Sequence, residues 1–236
     1  MTRDMCFVVT PVLFIMMKRI IIIDGGPRKA MNTAAMLSSI AQGVKSVSDQ
    51  IEVKTVRLYE LNYKGCMSCL LCKLKGRASN VCKFKDALTP VLQEIAEADG
   101  LVMGSPIYFS EVTAQLRALL ERLIFPWLSY NDYSLTVPKR MPVLLTYTMN
   151  ATAELAKTGA YQYMGIIENS LMRAMGDVEH VDAYYTYQVK NYDLFEMASF
   201  PEQAKRQYRD EHWDDDLQRA REAGRRMAQK ILSTEK

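Results

Sequence analysis

The sequence predicts an α/β domain built on a doubly wound, five-stranded parallel sheet in the order 2-1-3-4-5, with helices layered on both faces. Two observations carry this expectation. Arg19-Ile20-Ile21-Ile22-Ile23 is a β-branched run with no polar face, the pattern of a strand covered on both sides. Strand and helix patterns then alternate along the chain, which requires parallel strands joined by crossover helices. In such a sheet ligands sit beyond the strand C-termini at the switch point, so the turns after strands one, three and four should share one crevice.

Each element follows from local pattern. The first strand stops at Asp24-Gly25-Gly26-Pro27, and Asn32-Thr33 should cap an amphipathic helix with Leu37, Ile40, Ala41 and Val44 inward. Ile51 to Val56 alternates as an edge strand does, and a cysteine-bearing loop over 61–85 follows. Thr89-Pro90 opens a helix with Val91, Leu92, Ile95 and Ala96 inward, because proline is tolerated in a first turn. Leu101-Val102-Met103 is the third strand; it leads to a helix with Leu116, Leu119, Leu120 and Leu123 on one face, ended by Pro126. Pro142 to Tyr147 is the fourth strand, and Ala151 to Met175 is mostly helical, with Gly159 and Gly165 as candidate breaks. Val178 to Tyr185 reads as the fifth strand, and the polar tail from Pro201 becomes a helix with Leu217, Ala220, Gly224, Met227 and Ile231 inward.

At 236 residues and 49% hydrophobic content the chain can bury a full core, and no linker or repeat divides it. A net charge of +3 argues for neither nucleic acid nor a membrane surface as partner. No apolar run approaches the roughly 20 residues of a membrane span. Phe7 to Met17 has the length of a signal peptide, yet Lys18-Arg19 stands where a small-residue cleavage site belongs. Residues 1–16 are therefore read as an extension or an over-long start, residues 17–236 as a single domain, and the cytoplasm as its compartment.

The stretch from Arg19 to Thr33 joins strand, glycine-containing loop and helix start, so outward amides, the helix dipole and Arg28 together suit a phosphate. Neither G-x-G-x-x-G nor G-x-x-x-x-G-K-[ST] is present. What stands there, G-G-P-R-K-x-x-N-T, resembles the G-S-P-R-x-x-x-N-T loop of NADPH-dependent FMN reductases and iron–sulfur flavoproteins, flavodoxin-like proteins in which this loop holds the FMN phosphate. Gly26 replaces the usual serine, removing a hydroxyl donor and keeping the backbone donors. The resemblance implies a phosphate site of Gly26, Pro27, Arg28, Asn32 and Thr33. Ser105 to Thr113 similarly resembles the S-P-x-Y-x-x-x-x-[ST] segment that lines the flavin ring in those families. Pro106, Ile107, Tyr108 and Phe109, with Thr148, Met149 and Asn150 after strand four, are then expected to flank the ring. Read as residues alone, the loop fits any α/β strand–turn–helix, and Tyr108 and Phe109 fit ordinary packing. Where the families often carry lysine and then Asp-Arg in the following helix, this chain has Arg117 and Glu121-Arg122.

Four of five cysteines lie in Cys66-x2-Cys69-x2-Cys72-x9-Cys82, with Cys6 alone in the extension. In a reducing compartment such clustering points to metal or redox chemistry rather than structural disulfides. Two consecutive gaps of two let three thiolates converge, and a distant fourth can complete the site. A [4Fe–4S] cluster, a bare thiol loop and tetrahedral zinc are the three readings. The motif resembles the compact cysteine motif of iron–sulfur flavoproteins, although the final gap of nine is longer. Lys64, Lys73, Lys75, Arg77, Lys83 and Lys85 surround it; they suit an anionic cluster, a solvated loop, or docking of an acidic partner or an NADPH 2′-phosphate.

His180 and His212, the only histidines, have no cysteine or serine partner that would make a hydrolytic site. No catalytic acid or base is assigned, which suits chemistry that resides in a cofactor. The expectation is an FMN oxidoreductase carrying electrons from NAD(P)H to a quinone-like, flavin or iron–sulfur acceptor. Its rivals are an iron–sulfur electron carrier between protein partners and a zinc-stabilised binding protein. The family resemblance further implies a homodimer or homotetramer.

Overall fold

In a computed structural model that describes residues 17–233, five strands form one all-parallel sheet: β1 (Lys18–Asp24), β2 (Ile51–Arg57), β3 (Gly100–Pro106), β4 (Val143–Thr148) and β5 (Val178–His180). Their order is β2-β1-β3-β4-β5, as the sequence predicts. The expected extension over residues 1–16 lies outside the described residues. The β1 run alternates between two cores. Ile21 and Ile23 pack with α2 (Thr89–Glu97), α3 (Ala114–Ile124) and α5 (Ala160–Met175), while Ile20 and Ile22 pack with α1 (Asn32–Lys45) and α6 (Glu202–Ser233). All four isoleucines have no solvent exposure, and each contributes about 1.5–3 kcal/mol by burial. No helix among the described residues is long and apolar enough to cross a membrane.

Most helical faces match the periodicity, with Ala41, Ala96 and Leu217 half-buried rather than buried. Three local expectations are corrected. The cap of α1 is Met31 and makes no side-chain capping bond, because Asn32 and Thr33 turn to other partners described below. Gly159 does break the helix, separating α4 (Ala153–Thr158) from α5, but Gly165 continues α5 without a break. The fifth strand ends at His180 instead of Tyr185. There the Tyr147 amide donates to the buried Asp182 carboxylate at 2.7 Å, so a side chain takes the place of a ladder carbonyl. The Val181 amide still donates to the Leu145 carbonyl at 3.0 Å, and an isolated bridge joins Thr148 to Ala183.

α1 packs closely on α6. A Cβ on Gly43 would lie 1.9 Å from the Arg221 carbonyl oxygen, and one on Gly224 would lie 2.2 Å from that of Ile40. Two glycines, each facing the backbone of the other helix, thus set how near α6 comes to α1. Gly224→Ala, although it favours helix intrinsically, is expected to lower stability by about 1–3 kcal/mol through overpacking. A urea midpoint no lower than the parent's would refute this.

Candidate functional site

The rim of the sheet is held together where β1 ends. Asp24 is buried, accepts the Gly26 amide at 2.8 Å and pairs with Arg57. Burial raises its pKa, against the pull of the Gly26 amide and the Arg57 guanidinium. The Gly25 amide donates to the Gly104 carbonyl at 2.8 Å, and the Thr113 hydroxyl donates to the Gly25 carbonyl at 2.8 Å. A Cβ on Gly25 would stand 2.9 Å from the Gly104 oxygen, so the first turn and β3 approach too closely for any side chain there.

The third turn is tied in the same way. The Thr33 and Thr148 hydroxyls share a hydrogen bond of 2.7 Å, and the Ile107 amide donates to the Thr148 carbonyl at 3.0 Å. The segment after β5 closes the remaining side: Asn32 donates to the Tyr187 carbonyl at 2.8 Å, Arg28 donates to the Gln188 carbonyl, and Thr186 donates to the Met149 carbonyl at 3.1 Å. Behind that segment the fully buried Lys205 ammonium donates to the Thr186 carbonyl at 3.1 Å and lies 4.0 Å above the Tyr185 ring. Burial pulls the Lys205 amine down to about 8.

These turns enclose a cleft of about 520 Å³, part of it open to solvent. Gly26, Pro27, Arg28, Asn32 and Thr33 line it from the first turn, Pro106, Ile107 and Tyr108 from the second, and Thr148, Met149 and Asn150 from the third. Phe109 alone of the expected ring-flanking residues is not on the lining. It and Ser110 have left-handed backbones (φ 50° and 64°), while Tyr108 and Glu111 pair amide to carbonyl in both directions. Phe109 is thus the tip of a tight two-residue hairpin and projects fully into solvent. Met31, Thr186 and Gln188 also line the cleft and were not expected from sequence. A signal for the last two existed: they follow strand five on the same C-terminal rim.

The lining matches a phosphorylated, polar-edged ring ligand. Arg28 and the first-turn amides of α1, which have no intrahelical carbonyl and no side-chain cap, supply the anion-binding end. Two buried side-chain oxygens, Asn150 Oδ1 and Gln188 Oε1, have no hydrogen-bond partner and await a donor.

Beside this cleft, the cysteine loop is hung from α3. Arg122 is buried and donates to the Lys64 carbonyl at 3.1 Å, the Phe84 carbonyl at 2.8 Å and the Asp86 carboxylate, so one guanidinium clasps both ends of the loop. Its neighbour Glu121 accepts the Cys66 amide at 3.1 Å. Lys73 donates to the carbonyls of Phe125, Pro126 and Leu128, so this member of the basic group is structural. Cys66, Cys69, Cys72 and Cys82 all line one pocket of about 330 Å³. Cys66 and Cys69 are exposed, Cys82 is half-buried and Cys72 is buried. Burial pushes the Cys72 thiol up, against the pull of Lys73. Left-handed Ser68 and Leu70 alternate with these cysteines. The four thiols are donors of the right chemistry for iron or zinc and are gathered in one place. Among the described residues, however, no three Cys, His, Asp or Glu side chains converge on a metal-sized site.

Sheet order and rim crevice define the class, a flavodoxin-like α/β protein. A sequence model described as NADPH-dependent FMN reductase matches residues 18–172, and the chain belongs to that family. It is 32% identical to an iron–sulfur flavoprotein of Archaeoglobus fulgidus over 70% of this chain and 74% of that one. It is 31% identical to an iron–sulfur flavoprotein of Methanocaldococcus jannaschii over 44% of this chain; that match spans 51%, about half, of the relative's length. Among solved structures, it superposes on an NAD(P)H:quinone oxidoreductase from Methanothermobacter marburgensis with a TM-score of 0.62 at 17% identity, over 88% of this chain and 96% of the other. An FMN-dependent NADH-azoreductase from Bacillus anthracis, solved with FMN, gives 0.59 at 14% identity over 90% of this chain and 100% of that one.

Two outcomes follow for the clasp. Arg122→Ala leaves the Asp86 carboxylate without its cation and should cost about 3–5 kcal/mol of stability in denaturant titration. Burial raises the Asp86 pKa, but Arg122 and the amides of Lys64 and Leu88 outweigh it, leaving the carboxyl below its ordinary value. A depressed carboxyl stabilises the fold above the unfolded pKa, so this contribution should fade as pH falls below about 4. Asp86→Asn should flatten that acid limb, and an unchanged limb would count against the clasp.

Proposed function

We propose that the chain is an FMN-dependent oxidoreductase that takes electrons from NAD(P)H and passes them to a quinone-like, flavin or iron–sulfur acceptor. The observation that carries this reading is the convergence of three separate turns and the segment after β5 on one cleft, cationic and amide-lined at the first turn and carrying orphan acceptors beyond it. Bound there, FMN would supply the hydride and single-electron chemistry that no side chain offers.

The chain's own residues would bind and orient it. Arg28 and the opening amides of α1 meet the phosphate, and the Thr33–Thr148 pair offers hydroxyls that both donate and accept. Asn150 Oδ1 and Gln188 Oε1 accept donors from the ligand, and Pro106, Ile107, Tyr108 and Met149 exclude water from its flank. Membership of the family supports the pyridine nucleotide as donor. A homodimer or homotetramer, as the family resemblance implies, is the assembly proposed. Free cysteines at four described positions suit the cytoplasm.

Arg28→Ala is expected to weaken FMN retention about tenfold or more, the effect of losing one charge-assisted phosphate contact. Equilibrium dialysis measures it, and unchanged affinity removes Arg28 from the phosphate site. Anaerobic stopped-flow mixing with NADPH or NADH should bleach the bound flavin.

The second reading is an electron carrier between proteins that makes no direct use of NAD(P)H, and the shared pocket of the four cysteines supports it. It requires the flavin to stay oxidised with either nucleotide until a reduced protein donor is added. A cluster held by the loop would be revealed by Cys69→Ser, with iron and sulfide content falling and flavin retained. Unaltered iron would reject Cys69 as a ligand.

A further inference from the structure

A second cleft opens on the far side of the first turn, lined for the most part by residues that the flavin reading leaves unassigned. It encloses about 1120 Å³, open to solvent on one side, and shares Met31 and Asn32 with the first cleft. One wall is a single face of α6, where Arg206, Arg209 and Trp213 recur at helical spacing; Tyr187 and Lys190 form the other. The Arg209 guanidinium lies 4.6 Å from the centre of the Trp213 ring. Arg206 donates to Glu202 at 2.8 Å, and Glu202 also accepts the Tyr187 hydroxyl, so the two walls are braced together. The lining carries three cations and one carboxylate, Asp210.

We propose that this cleft is an adenine-nucleotide subsite, in which Lys190 and Arg206 take phosphate oxygens and the purine stacks against the Arg209–Trp213 pair. A cationic groove alone would suit any anion. Flat surfaces on Trp213 and Tyr187 beside the cations select an anion that also carries an aromatic ring. Continuity at Met31 and Asn32 lets a ligand whose phosphate rests on the first turn extend across it. The same chemistry arrives in two carriers, the adenylate half of FAD and the adenosine phosphate end of NADPH. The choice between them rests on the flavin reading above; the subsite itself does not.

The chain has two tryptophans, and Trp127 is buried in the core, so emission changes report on Trp213 in this cleft. Protein saturated with FMN is titrated with ADP, with 2′,5′-ADP and with inorganic phosphate. The expected result is a saturable emission change with a nucleotide, absent in Trp213→Phe and shifted about tenfold or more to weaker binding in the Arg206→Ala/Arg209→Ala double variant. No saturable change at millimolar nucleotide, equal competition by inorganic phosphate, or unaltered affinity in the double variant overturns the proposal. If the protein retains no FMN, the flavin reading fails, and the same titration still decides the subsite. The carriers then separate: a double variant with weaker FAD binding and unchanged FMN binding assigns the subsite to the flavin. A raised KM for NADPH with unchanged flavin binding assigns it to the pyridine nucleotide.

Discussion

The absence of room for a side chain at Gly25 governs the working rim of this protein. Because the first turn presses its backbone against Gly104 of β3, the Gly25 amide and carbonyl are both spent on β3 and the start of α3. The turn that follows is thereby aimed over the sheet edge and not away from it. Thr33 then reaches Thr148, and Asn32 and Arg28 reach the segment after β5. Four stretches far apart in sequence become one wall through a handful of hydrogen bonds.

Polar residues at the rim hold elements together with the same groups that face the cleft. Asn32 and Thr33 could have capped α1, a contribution of about 1 kcal/mol. They bond across the rim instead, and the helix keeps its opening amides uncapped. A helix start left in that state is an anion site by construction. The orphan oxygens of Asn150 and Gln188 lie on the cleft lining, where a bound donor would reach them. Arg122 gives the cysteine loop its shape by joining the backbone at Lys64 and Phe84 to the Asp86 carboxylate, and it also interacts with the Cys82 thiol.

Much of this was legible in the residues. An isoleucine run with no polar face reads as a covered strand; the structure puts Ile21 and Ile23 in one core and Ile20 and Ile22 in the other. Leucines of α3 and the small residues of α6 announced their buried faces. Eleven of the twelve residues expected around the flavin line one cleft. Phe109 departs because its backbone is left-handed at a hairpin tip, a conformation that sequence gives no reason to expect of phenylalanine. The fifth strand was over-read because Asp182, in a stretch of strand-like composition, bonds the Tyr147 amide with its side chain.

The order of the sheet followed from the doubly wound class, while local pattern by itself determined the strands, most helical faces and three of the four stretches at the rim. These depend on period and turn chemistry, which neighbouring residues encode. Tertiary structure alone decided that Thr186 and Gln188 complete the cleft, that Arg122 clasps the cysteine loop, and that α6 turns two arginines and a tryptophan toward the first turn. Those facts depend on partners tens to more than a hundred residues away, and no local window of sequence contains both halves of such a contact.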